Sequence, residues 1–339
     1  MRSQSKKNTN SPNYRVYAIS ITILFALTLI LSSFFTLKNS DDEESAFHEL
    51  FKKNYSIFAL DMPRKLEFAG EKVPLDFFDV RESLDRELLI NTYWQSQTLL
   101  LIKKTNRYFP LMEPILKENG IPDDFKYLPV AESGLANVVS PAHAVGFWQL
   151  LEGTARDYGL EVDDQVDERY SIERSTEAAC KYLKESYEKY GSWTMVAASY
   201  NAGRRGIDKQ IDRQKTDNYY NLLLNEETAR YIFRILAFKS IITHPEKYGF
   251  QLRQEDLYPV IPVKKLEVDT TVNDFATFAA KYNTNYKILK YLNPWLRQAY
   301  LINKDSRKYL IKIPQEGARS AATFQLSQQA DSLLASRRN

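Results

Sequence analysis

The sequence predicts a mainly α-helical protein that closes with a small βααβ module. Three observations carry that prediction. Apolar side chains recur at helical spacing from about residue 81 to about residue 245. The chain holds 22 Tyr and 18 Phe against 11 Gly, which suits aromatic-rich helical packing better than a fold of many tight turns. After Gly249 the pattern changes to short extended runs alternating with short helical ones. At 339 residues, with 44% hydrophobic and 26% charged residues, a substantial core is possible.

Residues 16–37 form an uncharged run of 22, preceded by Arg2, Lys6, Lys7 and Arg15 and followed by Lys38. As a helix rising ~1.5 Å per residue, such a run crosses a hydrocarbon layer of ~30 Å. The leading cations favour a cytoplasmic N-terminus. The expectation is therefore a cytoplasmic stub and signal-anchor over 1–37, holding everything after Lys38 outside the cytoplasm. A cleaved signal peptide is the alternative, although the exit Ser32 to Leu37 lacks a small-x-small site. Residues 38–109 read as a tether, with Asp41 to Glu44 solvated, followed by a helical extension.

Leu84, Leu88, Leu89, Tyr93, Leu100 and Leu101 keep helical spacing from Arg81 to Tyr108, and Pro110 is expected to interrupt. A short helix should stop near Gly120, with Pro122 beyond it. Asp123 and Asp124 open the next, which runs into Glu132. Ser175 is read as an N-cap for a helix closed by Gly191. Another runs from Trp193 to the Asn201-Ala-Gly203 turn. Asn225 caps a last long helix with Glu226 and Glu227 in its first turn, where the helix dipole favours anions. Residues 110–248 make one helical domain in this reading. Residues 255–314 make the small module, with extended runs near 257–263, 266–272 and 309–314 around two short helices. Residues 315–339 are a polar tail.

The formal net charge of +3 is misleading, because four cations precede the apolar run and the remainder is −1. No nucleic-acid footprint is present. Cys180 is the single cysteine and sits in an apolar helical run, so it reads as a small core hydrophobe. His48, His143 and His244 have no ligand-like spacing, so neither a metal nor any other cofactor is expected.

Glu132 is the most informative residue. It is a lone carboxylate among Pro129, Val130, Ala131 and Leu135. Desolvation there would raise its pKa and suit it to general acid catalysis. Four segments then line up along the chain: Ala131-Glu-Ser-Gly-Leu135, Gly146-Phe-Trp-Gln-Leu150 with Thr154-Ala155, Ala197-Ala-Ser-Tyr-Asn-Ala-Gly203, and Glu227-Thr-Ala-Arg-Tyr231.

As a set these segments resemble the lytic transglycosylases of bacterial cell walls, in the membrane-bound type D branch of the soluble-lytic-transglycosylase-like family. The resemblance covers roughly residues 110–245. It implies a lysozyme-like helical fold and peptidoglycan glycan strands as substrate. It also implies cleavage between N-acetylmuramic acid and N-acetylglucosamine without water, with Glu132 as the catalytic acid and base. An ordinary glycosidase needs a second carboxylate. Asp157, Asp163, Asp164, Asp167 and Glu168 follow Glu132, but none lies within a motif.

By motif position Ser133, Gln149, Tyr200 and Asn201 are candidate substrate-binding residues, with Ser133 alternatively a helix-end hydroxyl and Asn201 alternatively a loop-shaping residue. Gln149 suits an N-acetyl group or Glu132 itself. Phe147 and Trp148 are candidates to stack on sugars, against a core role. Glu227, Arg230 and Tyr231 read as a structural or cleft-wall cluster. His143 stands where relatives usually carry Gly, and there it would narrow the cleft or add a sugar contact. Residues 255–314 are similar to a degenerate LysM repeat, without the usual Gly-Asp-Thr opening, so glycan binding and plain packing both stay open. A hydrolytic muramidase and an inactive peptidoglycan-binding scaffold remain the alternatives, and the sequence names no protein partner.

Overall fold

The periodic apolar residues after residue 77 build two helices where the spacing suggested one. A computed structural model describes residues 57–320, together with Thr28, Ser45 and Glu49. Leu60 onward belongs to one compact unit, and a separate unit ends at Ala59. The expected membrane run at 16–37, nearly all of the 38–56 tether region, and the tail beyond 320 lie outside the described residues. Among the described residues no helix is long and apolar enough to cross a membrane.

Helix α1 (Phe78–Tyr93) and helix α2 (Gln95–Glu118) are separated at Trp94, whose ψ of 56° leaves the helical range. Pro110 does not interrupt. It and Pro114 both lie within α2 at exposed positions, away from the packed face of the helix. Leu84, Leu88, Leu101, Met112 and Leu116 fill the buried faces. Each such side chain contributes about 2 kcal/mol of burial.

The sequence reading also missed a small hairpin. β1 (Glu67–Phe68) and β2 (Glu71–Lys72) pair antiparallel across Ala69 and Gly70, whose φ values of 52° and 81° form a tight two-residue turn. Phe68 is buried against Phe125. The Glu71 carboxylate accepts from the Ser192 hydroxyl and the Thr194 amide, each at 2.9 Å, and so caps a later helix with an anion.

A 3₁₀ turn (Asp123–Tyr127) leads into the short helix α3 (Leu128–Ser133), and α4 (Glu152–Asp157) follows an irregular segment. Helix α5 (Ile172–Tyr190) is capped by Ser171, not by Ser175. Ser175 sits one turn inside, buried, its hydroxyl donating to the Ser171 carbonyl at 2.6 Å. Gly191 closes α5 in the left-handed conformation. Helices α6 (Trp193–Ala202), α7 (Arg204–Gln214) and α8 (Glu226–Thr243) complete the helical body. α1 packs on α8, α2 on α5, and α6 on both α5 and α8. Cys180 is a core residue, and burial pushes its thiol up to about 12.

The C-terminal module has its own core. β3 (Val263–Val268) pairs antiparallel with β4 (Tyr309–Pro314), with Leu266 opposite Ile311. Helices α9 (Phe275–Lys281) and α10 (Tyr286–Leu292) are capped by Asp274 and Asn285, and bring Phe275 and Leu289 onto Ile311 and Val268. Residues 257–262, read as extended, form no strand.

Val166 belongs to the module's core, not to the helical body's. Its neighbours extend the seam: the Asp167 amide donates to the Trp295 carbonyl, the Arg297 amide to the Gln165 carbonyl, and the Tyr309 hydroxyl to Glu161. The acidic stretch between Glu161 and Glu168 therefore serves as a docking strip.

Candidate functional site

Glu132 stands in the last turn of α3, a helix that starts with Pro129 near its N-terminus and stops at Gly134. Gly134 has φ 59° and Leu135 has φ 52°, so two successive left-handed residues end the helix abruptly. Their amides close back on the Val130 and Pro129 carbonyls. This stop leaves the Glu132 side chain half-buried and directed at α8.

α8 presents Glu227, Tyr231 and Arg234 at i, i+4 and i+7, which places them on one face. The Tyr231 hydroxyl, on a side chain only 1% exposed, donates to Glu132 Oε1 at 2.5 Å. Burial raises the Glu132 pKa most. The Tyr231 hydrogen bond opposes that rise, the Glu227 charge adds to it, and the Arg234 charge opposes it; the result is about 7. A carboxyl poised there can deliver a proton and take one back near neutrality. Tyr231 stays a neutral donor, because burial and the Glu132 charge hold its pKa well above the usual tyrosine range.

Arg234 is shared with a second carboxylate. Glu87 of α1 is 1% exposed and accepts from Arg230 Nε at 2.7 Å, while Arg234 Nε lies 3.8 Å away. The N-terminal helical extension thus reaches the polar cluster behind Glu132.

The segment between α3 and α4 is folded by local bridges, Val139 with Val145 and Val145 with Leu150. Gly146 is obligatory in it: φ is 83°, and a Cβ would stand 2.1 Å from the Arg169 carbonyl oxygen. Arg169 is itself buried, paired with Asp167, and directs its guanidinium at the His143 and Leu150 carbonyls.

The sequence-predicted residues fall into distinct groups against this frame. Ser133 donates to the Phe147 carbonyl at 2.9 Å and to the Pro129 carbonyl at 3.0 Å, so it ties the segment to the helix end. Tyr200 donates to the Trp148 carbonyl at 2.6 Å, and burial followed by the nearby Glu132 charge holds it neutral. Phe147 and Trp148 are core residues, 3% and 0% exposed. Trp148 donates its indole N–H to Thr176.

Gln149 points its amide nitrogen at the Gly146 and Val138 carbonyls, so its donors are spent on the segment and not on Glu132. Asn201 donates to Glu227 and accepts from the Thr228 hydroxyl, joining the end of α6 to the start of α8. His143 is exposed with φ 61°, a left-handed position where glycine is the least strained residue. It borders a shallow hollow with Val139 and Leu151. Among the described residues no cluster of His, Cys, Asp or Glu has a metal-holding arrangement.

Sequence reasoning placed Tyr231 in a wall cluster and passed over Arg234 and Glu87. Helical spacing from Glu227 gives a signal for Tyr231 and Arg234. Nothing in the sequence marks Glu87, which reads as one more helical glutamate.

Two domain families match the chain: the transglycosylase SLT domain over residues 112–223, and the soluble lytic transglycosylase C-terminal LysM-like domain over residues 264–317. Glu132, Gln149 and Tyr200 lie inside the first match, whereas Glu87, Tyr231 and Arg234 lie outside it. The chain is 28% identical over 183 residues to membrane-bound lytic murein transglycosylase D of Escherichia coli (strain K12), covering 52% of this chain and 40% of that protein. It is 26% identical over 102 residues to a putative tributyltin chloride resistance protein of Alteromonas sp. (strain M-1), covering 30% of this chain and 49% of that one. The chain therefore spans about half the length or less of these curated relatives. It carries a transglycosylase SLT domain followed by a C-terminal LysM-like domain, and it is a distant homologue of membrane-bound lytic murein transglycosylase D.

Proposed function

We propose that this protein is a peptidoglycan lytic transglycosylase in which Glu132 acts alone, first as acid and then as base. An SLT domain implies such an activity in general, and the SLT and LysM-like domains together imply peptidoglycan binding. The observation that carries the finer reading is the Glu132 carboxyl, held on a short helix end, hydrogen-bonded by Tyr231 and raised to about 7. Protonated, it gives its proton to the glycosidic oxygen between N-acetylmuramic acid and N-acetylglucosamine, and the C1–O bond breaks. The C6 hydroxyl of the same muramic acid then attacks C1 and returns its proton to Glu132. The product is a 1,6-anhydro end, and the carboxyl is regenerated. Intramolecular attack replaces a bound water, with effective molarities that reach ~10⁵ M in well-oriented systems.

Tyr231 orients the carboxyl through these steps. Tyr200 keeps the Trp148 backbone in place and borders the same charge. Ser133, Asn201 and Gln149 hold the walls, and the exposed His143 is placed to meet a strand entering past the hollow. We place the catalytic unit in the cell envelope, in keeping with the membrane-bound name of the E. coli homologue. Anchoring through residues 16–37, with the unit in the periplasm, is part of the same proposal.

Hydrolysis is the competing reading, and Glu227 is the observation in its favour, since its charge acts on Glu132. A muramidase would need such a second carboxylate to activate water or to bond the sugar. Digestion of purified sacculi followed by mass spectrometry separates the two. The proposal expects fragments ending in 1,6-anhydro-muramic acid, lighter by one water, and activity surviving Glu227→Gln. Reducing ends, together with loss of activity in that variant, would assign hydrolysis instead.

A further inference from the structure

A cavity of about 530 Å³ opens between α2, the start of α5 and the LysM-like module. That volume is within the usual range for small-ligand sites. Four cations line it (Lys104, Arg107, Lys265 and Lys312) against one carboxylate, Glu173. Lys312 and Glu173 already pair with each other. Among the described residues the other three cations have no carboxylate partner. Lys104 donates to the Gly134 carbonyl at 2.9 Å. Arg107 donates to the Pro259 carbonyl at 2.9 Å and to the Tyr291 hydroxyl at 3.1 Å. Burial holds the Lys104 ammonium below its ordinary pKa, so a neutral acceptor does not compensate it fully.

Lys265 sharpens the point. It stands directly opposite Lys312 in the β3–β4 register, on the hairpin face turned to the helical body. Like charges directly opposite on a sheet are destabilising, and Glu173 relieves only one of them. The carbonyls held by Lys104 and Arg107 and the Lys312–Glu173 pair account for part of this charge, but they leave Lys265 unexplained and the cavity with a cationic excess. Aromatic side chains complete the lining, with Tyr108 and Tyr170 half-buried and Tyr291 54% exposed. The wall at Leu135 to Asn137 begins three residues beyond Glu132.

We infer that this cavity binds an acidic peptide, the carboxylate-bearing stem attached to the muramic acid of a glycan strand. The inference rests on the peptidoglycan reading above and adds a preference for peptide-substituted strands. Lys104, Arg107 and Lys265 meet the stem's carboxylates, and Tyr170 and Tyr291 cover its aliphatic parts. The LysM-like module then completes the site for the helical domain, since Lys265 and Tyr291 both come from it.

The test uses the full chain in detergent carrying Glu132→Gln, which permits binding without turnover. Calorimetry compares a disaccharide–tetrapeptide with the same disaccharide stripped of peptide. Lys265→Glu and Tyr291→Ala change exposed positions outside the catalytic cluster. Each should weaken the peptide-bearing ligand by about ten-fold or more and leave the stripped disaccharide unchanged. Added salt should weaken only the former. Equal affinities for the two ligands, or variants that bind the peptide-bearing one normally, would overturn the inference. Cleavage of peptide-free strands by Lys265→Glu in the Glu132-intact chain reports separately on the proposed reaction. Loss of that reaction in the unsubstituted chain would sink the proposed function instead.

Discussion

Glu87 and Glu132 both lean on α8, and the fold treats them in opposite ways. Around Glu87 two guanidinium groups converge, at 2.7 Å and 3.8 Å, on a carboxylate closed off from water. Around Glu132 there is one phenolic hydroxyl, a guanidinium already engaged elsewhere, and a second negative charge on Glu227. One site supplies compensation for a buried anion and the other withholds it. The raised proton affinity of Glu132 comes first from burial, and the single opposing guanidinium of Arg234 leaves that burial largely uncompensated.

The largest effect expected of any substitution is on turnover. Glu132→Gln should lower kcat on isolated glycan strands by a factor on the order of 10² to 10⁴, while retention on sacculi in a pull-down persists. Full activity in that variant would remove Glu132 from the chemistry. Next comes Glu87→Ala, which leaves two guanidinium groups without their carboxylate. Its cost should be about 3 kcal/mol, read as a shift in the denaturant midpoint at constant slope. It should also free Arg234 to favour the Glu132 anion, moving the alkaline limb of the rate profile to lower pH.

Of similar size is the stability that Glu132 forfeits by being a glutamate. Its ordinary pKa of 4.5 is raised to about 7 in the fold, so the folded chain holds the proton more tightly. Its stability contribution is intact below the ordinary value and is lost as pH rises through the folded one, by ~3 kcal/mol. Glu132→Gln should therefore be more stable than the parent at about pH 8 and nearly equal to it at about pH 4. A stability difference independent of pH would contradict the burial argument.

The smallest expected effect is that of Tyr231→Phe. Removing a hydrogen bond that lowers the Glu132 pKa should push the alkaline limb upward, by roughly one pH unit for a charge-assisted bond of ~1.5 kcal/mol. An unmoved limb would deny the hydroxyl any part in setting the proton affinity.

The same contrast explains what was legible in the sequence. Helix existence followed from apolar spacing, because α1, α2, α5 and α8 each bury one face and that face must recur. Helix ends were legible where a cap carries its own chemistry, as at Gly191 and Asn225. They were misjudged where tertiary packing chose between equivalent serines, as with Ser171 over Ser175. Pro110 was misread because its effect depends on which side of α2 faces water. The hairpin at Glu67–Lys72 is too short for period-two alternation to register.

The raised pKa of Glu132 was legible because it is a carboxylate in apolar company, while its proposed role drew on the four motif segments together. The partners of Glu132 were less legible, since Tyr231 and Arg234 lie 99 and 102 residues further on and acquire meaning only when α8 packs beside α3. Trp148 and Gln149 were drawn toward the ligand by motif position. The fold spends one on the core and the other on holding its own backbone turn.

The account is tested most directly by the pH dependence of kcat/KM on isolated glycan strands. A lone acid with this environment predicts a rate that falls as the proton is lost, with an apparent pKa near 7 that disappears when Glu132 is replaced. A limb centred at the ordinary carboxylate value of 4.5 would contradict it, for the side chain would then be an anion when the leaving oxygen needs a proton.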